Sequence, residues 1–301
     1  MKNLRFLFYS LFAFTTCMLQ ADLIHRYEFG SNLNDSVIEG AVDGVIRENY
    51  VDSNGELTTH IINPSYTLSQ PTGIISGAPT KAIDFDVVRS VDSGEVGETT
   101  QSSVFTIDGS VMASSQTVAC WFKFDARDAS GVVDYLFRSS QNLWVYLKSN
   151  KQLAVKNAHT SSGAFAVSEV LTENSWHHLA ITWVHTDDPL IVNDGVTSPN
   201  TTMSVYLNGV NLSEDSLVAH GAFNLLNVGN YSDSGGQIAN QFDGQMYDLQ
   251  FYSDRLAGDD ITELYQNPGF AFPELSNSAL LLGLVLSIYF IGRRRFQPVV
   301  V

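Results

Sequence analysis

The sequence predicts an all-β fold, an antiparallel sandwich or barrel. Three observations predict it. From Leu23 to about Tyr252, short apolar runs alternate with clusters of Gly, Asn, Asp and Ser. The runs are rich in Val, Ile, Phe, Tyr and Trp, which suit a half-buried pleated surface. The same region lacks a sustained 3.6-residue period, so helices are not its building blocks.

In chain order the expected strands are "LIHRYEF", "KAIDF", "SVFTI", "TVACWFKF", "DYLFR", "NLWVYLK", "KQLAVK", "WHHLAITWV", "MSVYLNGV" and "YDLQFY". Side chains on a strand alternate between faces. Val118, Cys120, Phe122 and Phe124 therefore share one face, expected inward, while Trp121 faces the other way. Leu179, Ile181 and Trp183 form a second apolar face, alternating with His178, Ala180 and Thr182. Adjacent His177 and His178 must point to opposite faces, so they cannot chelate one ion together, and a structural role is expected for both. "YLNGV" places Asn208-Gly209 in a type I′ hairpin turn, and Asp243-Gly244 is expected to act the same way. Residues 89–103 and 186–202 read as loops, as does "SEDSL" at 213–217, and 43–79 is less strand-like than its surroundings. One short helix is expected near 259–266, where Asp259 or Asp260 can cap and Ile261, Leu264 and Tyr265 share a face.

The chain has 301 residues, with 16 Lys+Arg against 32 Asp+Glu. Its ends differ from its middle. Lys2 and Arg5 precede the apolar run "FLFYSLFAFTTCML", and Gln20-Ala21 then leads into "DLIHRYEFG". A positive start, an apolar core of about 14 residues and a small terminal residue have the form of a signal peptide over 1–21, cut by signal peptidase after Ala21. Of the 2 cysteines, Cys17 falls in that segment and leaves Cys120 without a disulfide partner. Setting aside Lys2, Arg5, Glu274 and Arg293 to Arg295 leaves 11 basic and 31 acidic residues over 22–272. Such an acidic domain is unsuited to nucleic acid or to anionic membrane surfaces.

The order of "LIHRYEFGSNLNDSV", "TVACWFKF", "NSWHHLAITWV", "VYLNGV", "LLNVGN" and "FDGQMYDLQFYSDRLAGDDITELY" resembles the laminin-G-like, concanavalin A-like jelly-roll domains of bacterial surface proteins. The similarity runs over roughly 23–267, within a domain spanning 22–272. It implies two antiparallel sheets, frequently a sugar or protein ligand, and in many members a bound calcium. The tail resembles a PEP-CTERM sorting signal over 273–301. Pro273-Glu274 is followed by an apolar stretch and then by Arg293, Arg294 and Arg295. This implies recognition by an exosortase-type enzyme. Residues 275–292 would form about 27 Å of helix, barely enough to span a bilayer. The arginines would stay cytoplasmic and the acidic domain outside. A permanent membrane anchor is the rival reading.

Glycosidases on this fold place carboxylates at alternating positions, as Glu-x-Asp-x-x-Glu, and no such triplet occurs here. Binding is therefore the expectation, with glycan or an extracellular-matrix polymer as partner. A glycan-cleaving enzyme with another site, or a structural matrix or adhesion protein, are the alternatives. In "NLWVYLK", Leu143, Val145 and Leu147 share one face and Trp144 and Tyr146 the other. If the aliphatic face is core, Trp144 and Tyr146 stand outward as an aromatic platform for sugar rings. Asp187, Asp188, Asn193 and Asp194 cluster in one oxygen-rich stretch and are the candidate ligands for Ca2+.

Overall fold

Eighteen strands, mostly at the alternating runs, make up the computed structural model among its described residues. Those residues are 22–29, 45–51, 57–61, 65–85, 102–108, 116–125, 133–139, 143–157, 166–191, 197–219, 225–229, 231–232, 238–239 and 242–272, with positions 34, 36, 43, 111 and 164. The strands begin with β1 (Leu23–Tyr27), β2 (Val45–Val51), β3 (Leu57–Ile61), β4 (Ser65–Thr67), β5 (Ala82–Asp84) and β6 (Ser102–Asp108). Next come β7 (Thr117–Phe124), β8 (Asp134–Ser139), β9 (Leu143–Leu147), β10 (Gln152–Asn157), β11 (Ala166–Val170) and β12 (His177–Ile191). The series closes with β13 (Thr197–Leu207), β14 (Val210–Ala219), β15 (Leu225–Val228), β16 (Tyr231–Ser232), β17 (Ile238–Ala239), β18 (Gly244–Tyr252) and helix α1 (Gly258–Gln266). All belong to the compact unit Leu23–Ala271.

The first sheet runs β14-β13-β12-β7-β18-β5-β4, with β1 also paired to β18, and the second runs β11-β10-β9-β8-β15-β6-β2-β3. Their inner faces meet in one apolar core. Val118, Cys120, Phe122 and Phe124 enter it from β7, and Leu179, Ile181 and Trp183 from β12. Leu143, Val145 and Leu147 enter from β9 on the opposite sheet. Cys120 is a free, buried thiol, and burial pushes its pKa up.

Strand β18 is buried along its whole length. Its first half pairs with β5 and its second half with β1, on the side away from β7. The changeover occurs at Asp248, which takes φ 52 at a bulge between Tyr247 and Gln250. A buried network holds that bulge. Arg26 donates from Nε and Nη2 to the two Asp248 carboxylate oxygens at 2.7 and 3.1 Å. Its Nη2 also donates to the Gly269 carbonyl at 2.8 Å, and Gln250 Nε2 donates to Asp248 Oδ2 at 2.7 Å.

Several expectations needed correction. Strand β12 runs on to Ile191 and β13 begins at Thr197, so much of 186–202 is paired backbone. Backbone pairing needs no apolar side chain, so polar composition hid this extension; a register shift at Pro189 accommodates the missing N–H. Ser213 to Leu217 lie within β14, not in a turn, and the 43–79 stretch supplies β2, β3 and β4. Asn208 and Gly209 do form the positive-φ pair, at 51 and 75°. At Asp243-Gly244 only the glycine has positive φ. Gly244 instead opens β18 in close approach to β7, where an added Cβ would lie 2.1 Å from the Lys123 carbonyl oxygen. The helix forms as expected, with Ile261 and Leu264 buried and Asp260 Oδ2 accepting from the Ala257 N–H at 3.0 Å.

Candidate functional site

Strand β9 alternates buried and half-buried residues, so Trp144 and Tyr146 do face away from the core. Its neighbours decide what they meet. Strand β9 lies between β8 and β10, and Trp144 is paired with Arg138 on one side and Lys156 on the other. Long cationic side chains at those positions lean over the indole. The Arg138 guanidinium carbon lies 4.7 Å from the ring centroid and Lys156 Nζ 5.1 Å. Tyr135 meets Trp144 edge-on, at 6.3 Å and 88°, and is tilted against Tyr146 at 5.7 Å. Arg138 also sits 5.5 Å from the Tyr135 ring.

The outward face therefore differs from a flat stacking platform. Trp144 is flanked by cations from both adjoining strands, and its indole N–H is buried without a hydrogen-bond partner among the described residues. Burial also pushes the Tyr146 hydroxyl pKa up. Chemically this is an aromatic face flanked by two cationic side chains. Tyr135, Arg138 and Lys156 escaped the sequence reading because cross-strand neighbours are set by register. The alternation in "DYLFR" and "KQLAVK" was the one available signal, and it cannot say which strands lie side by side.

The histidines divide as the alternation requires. His177 packs against Phe122 and Phe124 at 5.6 and 6.1 Å, with Nε2 3.0 Å from the Thr172 carbonyl. His178 lies on the other face, 5.1 Å from Trp121. Burial lowers the pKa of both, His178 to about 3. Asp187 and Asp188 fall within β12, while Asn193 and Asp194 lie outside the described residues. No cluster of three or more His, Cys, Asp or Glu side chains occurs among the described residues. Ala21, Pro273, Glu274, Arg293, Arg294 and Arg295 also lie outside them. No described helix is long and apolar enough to cross a membrane.

Among solved structures, domain 4 of AbnA, an extracellular GH43 arabinanase from Geobacillus stearothermophilus in complex with arabinotriose, is 20% identical with a TM-score of 0.48. That similarity covers 82% of this chain and 100% of the other. A Trypanosoma rangeli sialidase mutant displaying trans-sialidase activity is 14% identical, with a TM-score of 0.41, over 55% of this chain and 26% of its own. The CBM40 of a Ruminococcus gnavus IT-sialidase, bound to α2,3-sialyllactose, is 13% identical, with a TM-score of 0.34, over 50% and 83%. No curated protein sequence matches the chain. The family model of the Laminin_G_3 type matches residues 98–262, more than half of the sequence, from just before β6 into α1. The chain belongs to the concanavalin A-like lectin/glucanases superfamily.

Proposed function

We propose that the protein is an exported, surface-displayed, non-catalytic domain that binds a carbohydrate polymer through the Trp144 face of the second sheet. The observation that carries this reading is the outward, half-buried indole of Trp144, set between Arg138 and Lys156. Cationic side chains at an aromatic face favour an acceptor-rich chain, such as a glycan bearing uronic or sialic acids. Aromatic edges from Tyr135 and Tyr146 supply apolar contact for the sugar C–H groups. Export rests on the signal-peptide form of residues 1–21. Display rests on the tail, where exosortase-type processing would follow transient membrane anchoring through 275–292.

Glycan-array binding by the protein, with and without chelator and at two salt concentrations, tests the reading. Acidic glycans should bind, less tightly at high salt, and the chelator arm reports whether calcium takes part. Trp144→Ala should abolish that binding while changing folding stability by less than about 1 kcal/mol, because the ring is only half-buried; a core tryptophan would cost roughly 3–5 kcal/mol. A large stability loss, or undiminished binding, would contradict the assignment. Release of shortened sugars from a bound glycan would favour an enzyme instead.

A further inference from the structure

A second concave site lies on the outer face of the other sheet. An open pocket of about 550 Å3 forms where β7, the turn before β12, the end of α1 and the segment around Pro71 converge. That size falls within the usual range for small-ligand sites. Its walls are held from several directions. Tyr265 of α1 stacks on Trp121 of β7 at 5.7 Å and 22°. Trp176 packs edge-on against Tyr247 at 6.1 Å, with Lys123 Nζ 5.7 Å from its ring centroid. Lys123 in turn donates to Ser69 Oγ at 3.0 Å, tying down the Pro71 segment. The Ile75 N–H donates to the Pro268 carbonyl at 3.3 Å, joining that segment to the residues after α1. The Asn174 N–H donates to the Phe124 carbonyl at 2.9 Å and fixes the remaining wall. Such bracing lowers the ordering cost of binding.

The lining chemistry is selective. Trp121, Trp176 and Tyr265 contribute aromatic surface, Asn174 and Gln266 contribute amides, and none of the described lining residues carries a charge. Thr72 and Ser175 add hydroxyls. Each side-chain amide offers donors and an acceptor side by side. Neighbouring sugar hydroxyls offer the same pair in return, and the C–H face of the ring packs on aromatic carbon. A proline-rich peptide supplies acceptors without backbone donors, so it would leave the amide oxygens unmatched. An acidic glycan would meet no charged residue among the described lining, and Lys123 beside Trp176 already donates to Ser69 Oγ. We propose that this pocket is a second binding site, specific for an uncharged saccharide of a few residues. With the Trp144 face on the opposite sheet, it would let one domain join two different polymers, a geometry that gains from avidity when both are engaged.

The test is calorimetric titration of the protein with cellotriose, laminaritriose, maltotriose and mannotriose, up to about 10 mM so that affinities of only a few kcal/mol register. At least one should bind saturably. Tyr265→Ala should weaken it about tenfold or more, in line with loss of an aromatic anchor. Thr72→Trp is the second variant: Thr72 is exposed, so the larger ring fills the pocket mouth without removing a buried contact. It should abolish binding even if Tyr265→Ala loosens α1. Absence of binding by all four sugars would overturn the proposal. So would binding that Thr72→Trp leaves untouched, or saturable binding of decaproline in place of the sugars. Failure of acidic glycans to bind counts only against the Trp144 face, because the neutral sugars and the pocket variants report on this site alone.

Discussion

Replacing His178 by phenylalanine should remove a defined part of the protein's acid sensitivity. In the native state the ring lies at 1% exposure against Trp121, with Nδ1 unpartnered among the described residues. Burial lowers its pKa from 6.5 to about 3. Between those values the unfolded chain binds a proton that the folded chain does not. Stability therefore falls as pH falls, and above about pH 6.5 the group contributes no pH dependence. The slope is about 1.4 kcal/mol per pH unit. From pH 6.5 to 4.5 the loss attributable to His178 is roughly 2–3 kcal/mol, or about 5–10 °C in Tm for a domain of this size. Phenylalanine keeps a flat ring against Trp121, gives up no hydrogen bond at Nδ1 and cannot titrate. Urea unfolding of both proteins at intervals from pH 7.5 to 4.5 measures the difference directly. His177 and the carboxylates are common to both and cancel in the comparison. The wild type should lose stability relative to His178→Phe as the pH drops. Parallel curves would show that His178 is protonated, or solvated, in the folded state, and the burial argument would fail.

Three further outcomes are expected. Arg26→Ala strands the Asp248 carboxylate, 1% exposed, without its bidentate partner, and should destabilise by roughly 3–5 kcal/mol in chemical denaturation. Gly244→Ala drives a methyl against the Lys123 carbonyl and the Phe124 Cα, both backbone atoms that cannot swing aside; it should cost at least about 3 kcal/mol or prevent soluble expression. Intact-mass measurement of the surface-displayed protein should find a form beginning near Asp22 and ending near Pro273. Retention of residues 275–301 would mean a permanent anchor.

Much of the fold was legible because β-sheet burial writes itself into a period of two. The inward sets on β7, β9 and β12, the opposed histidines, the Asn208-Gly209 turn and the closing helix all follow from local spacing. The outward placement of Trp144 and Tyr146 followed for the same reason. Other features depended on which backbones lie side by side. The polar ends of β12 and β13 pair because hydrogen bonding between strands ignores side-chain polarity, so composition suggested a loop. Gly244 proved to be a contact between neighbouring strands, a distinction the dipeptide alone does not carry. At the candidate site, Arg138 and Lys156 reach Trp144 from strands that are separate in sequence, and only sheet register brings them over one ring. The uncharged pocket joins residues from 71 to 268. Residues so distant in sequence leave no local pattern there, so the tertiary structure alone decided that they converge.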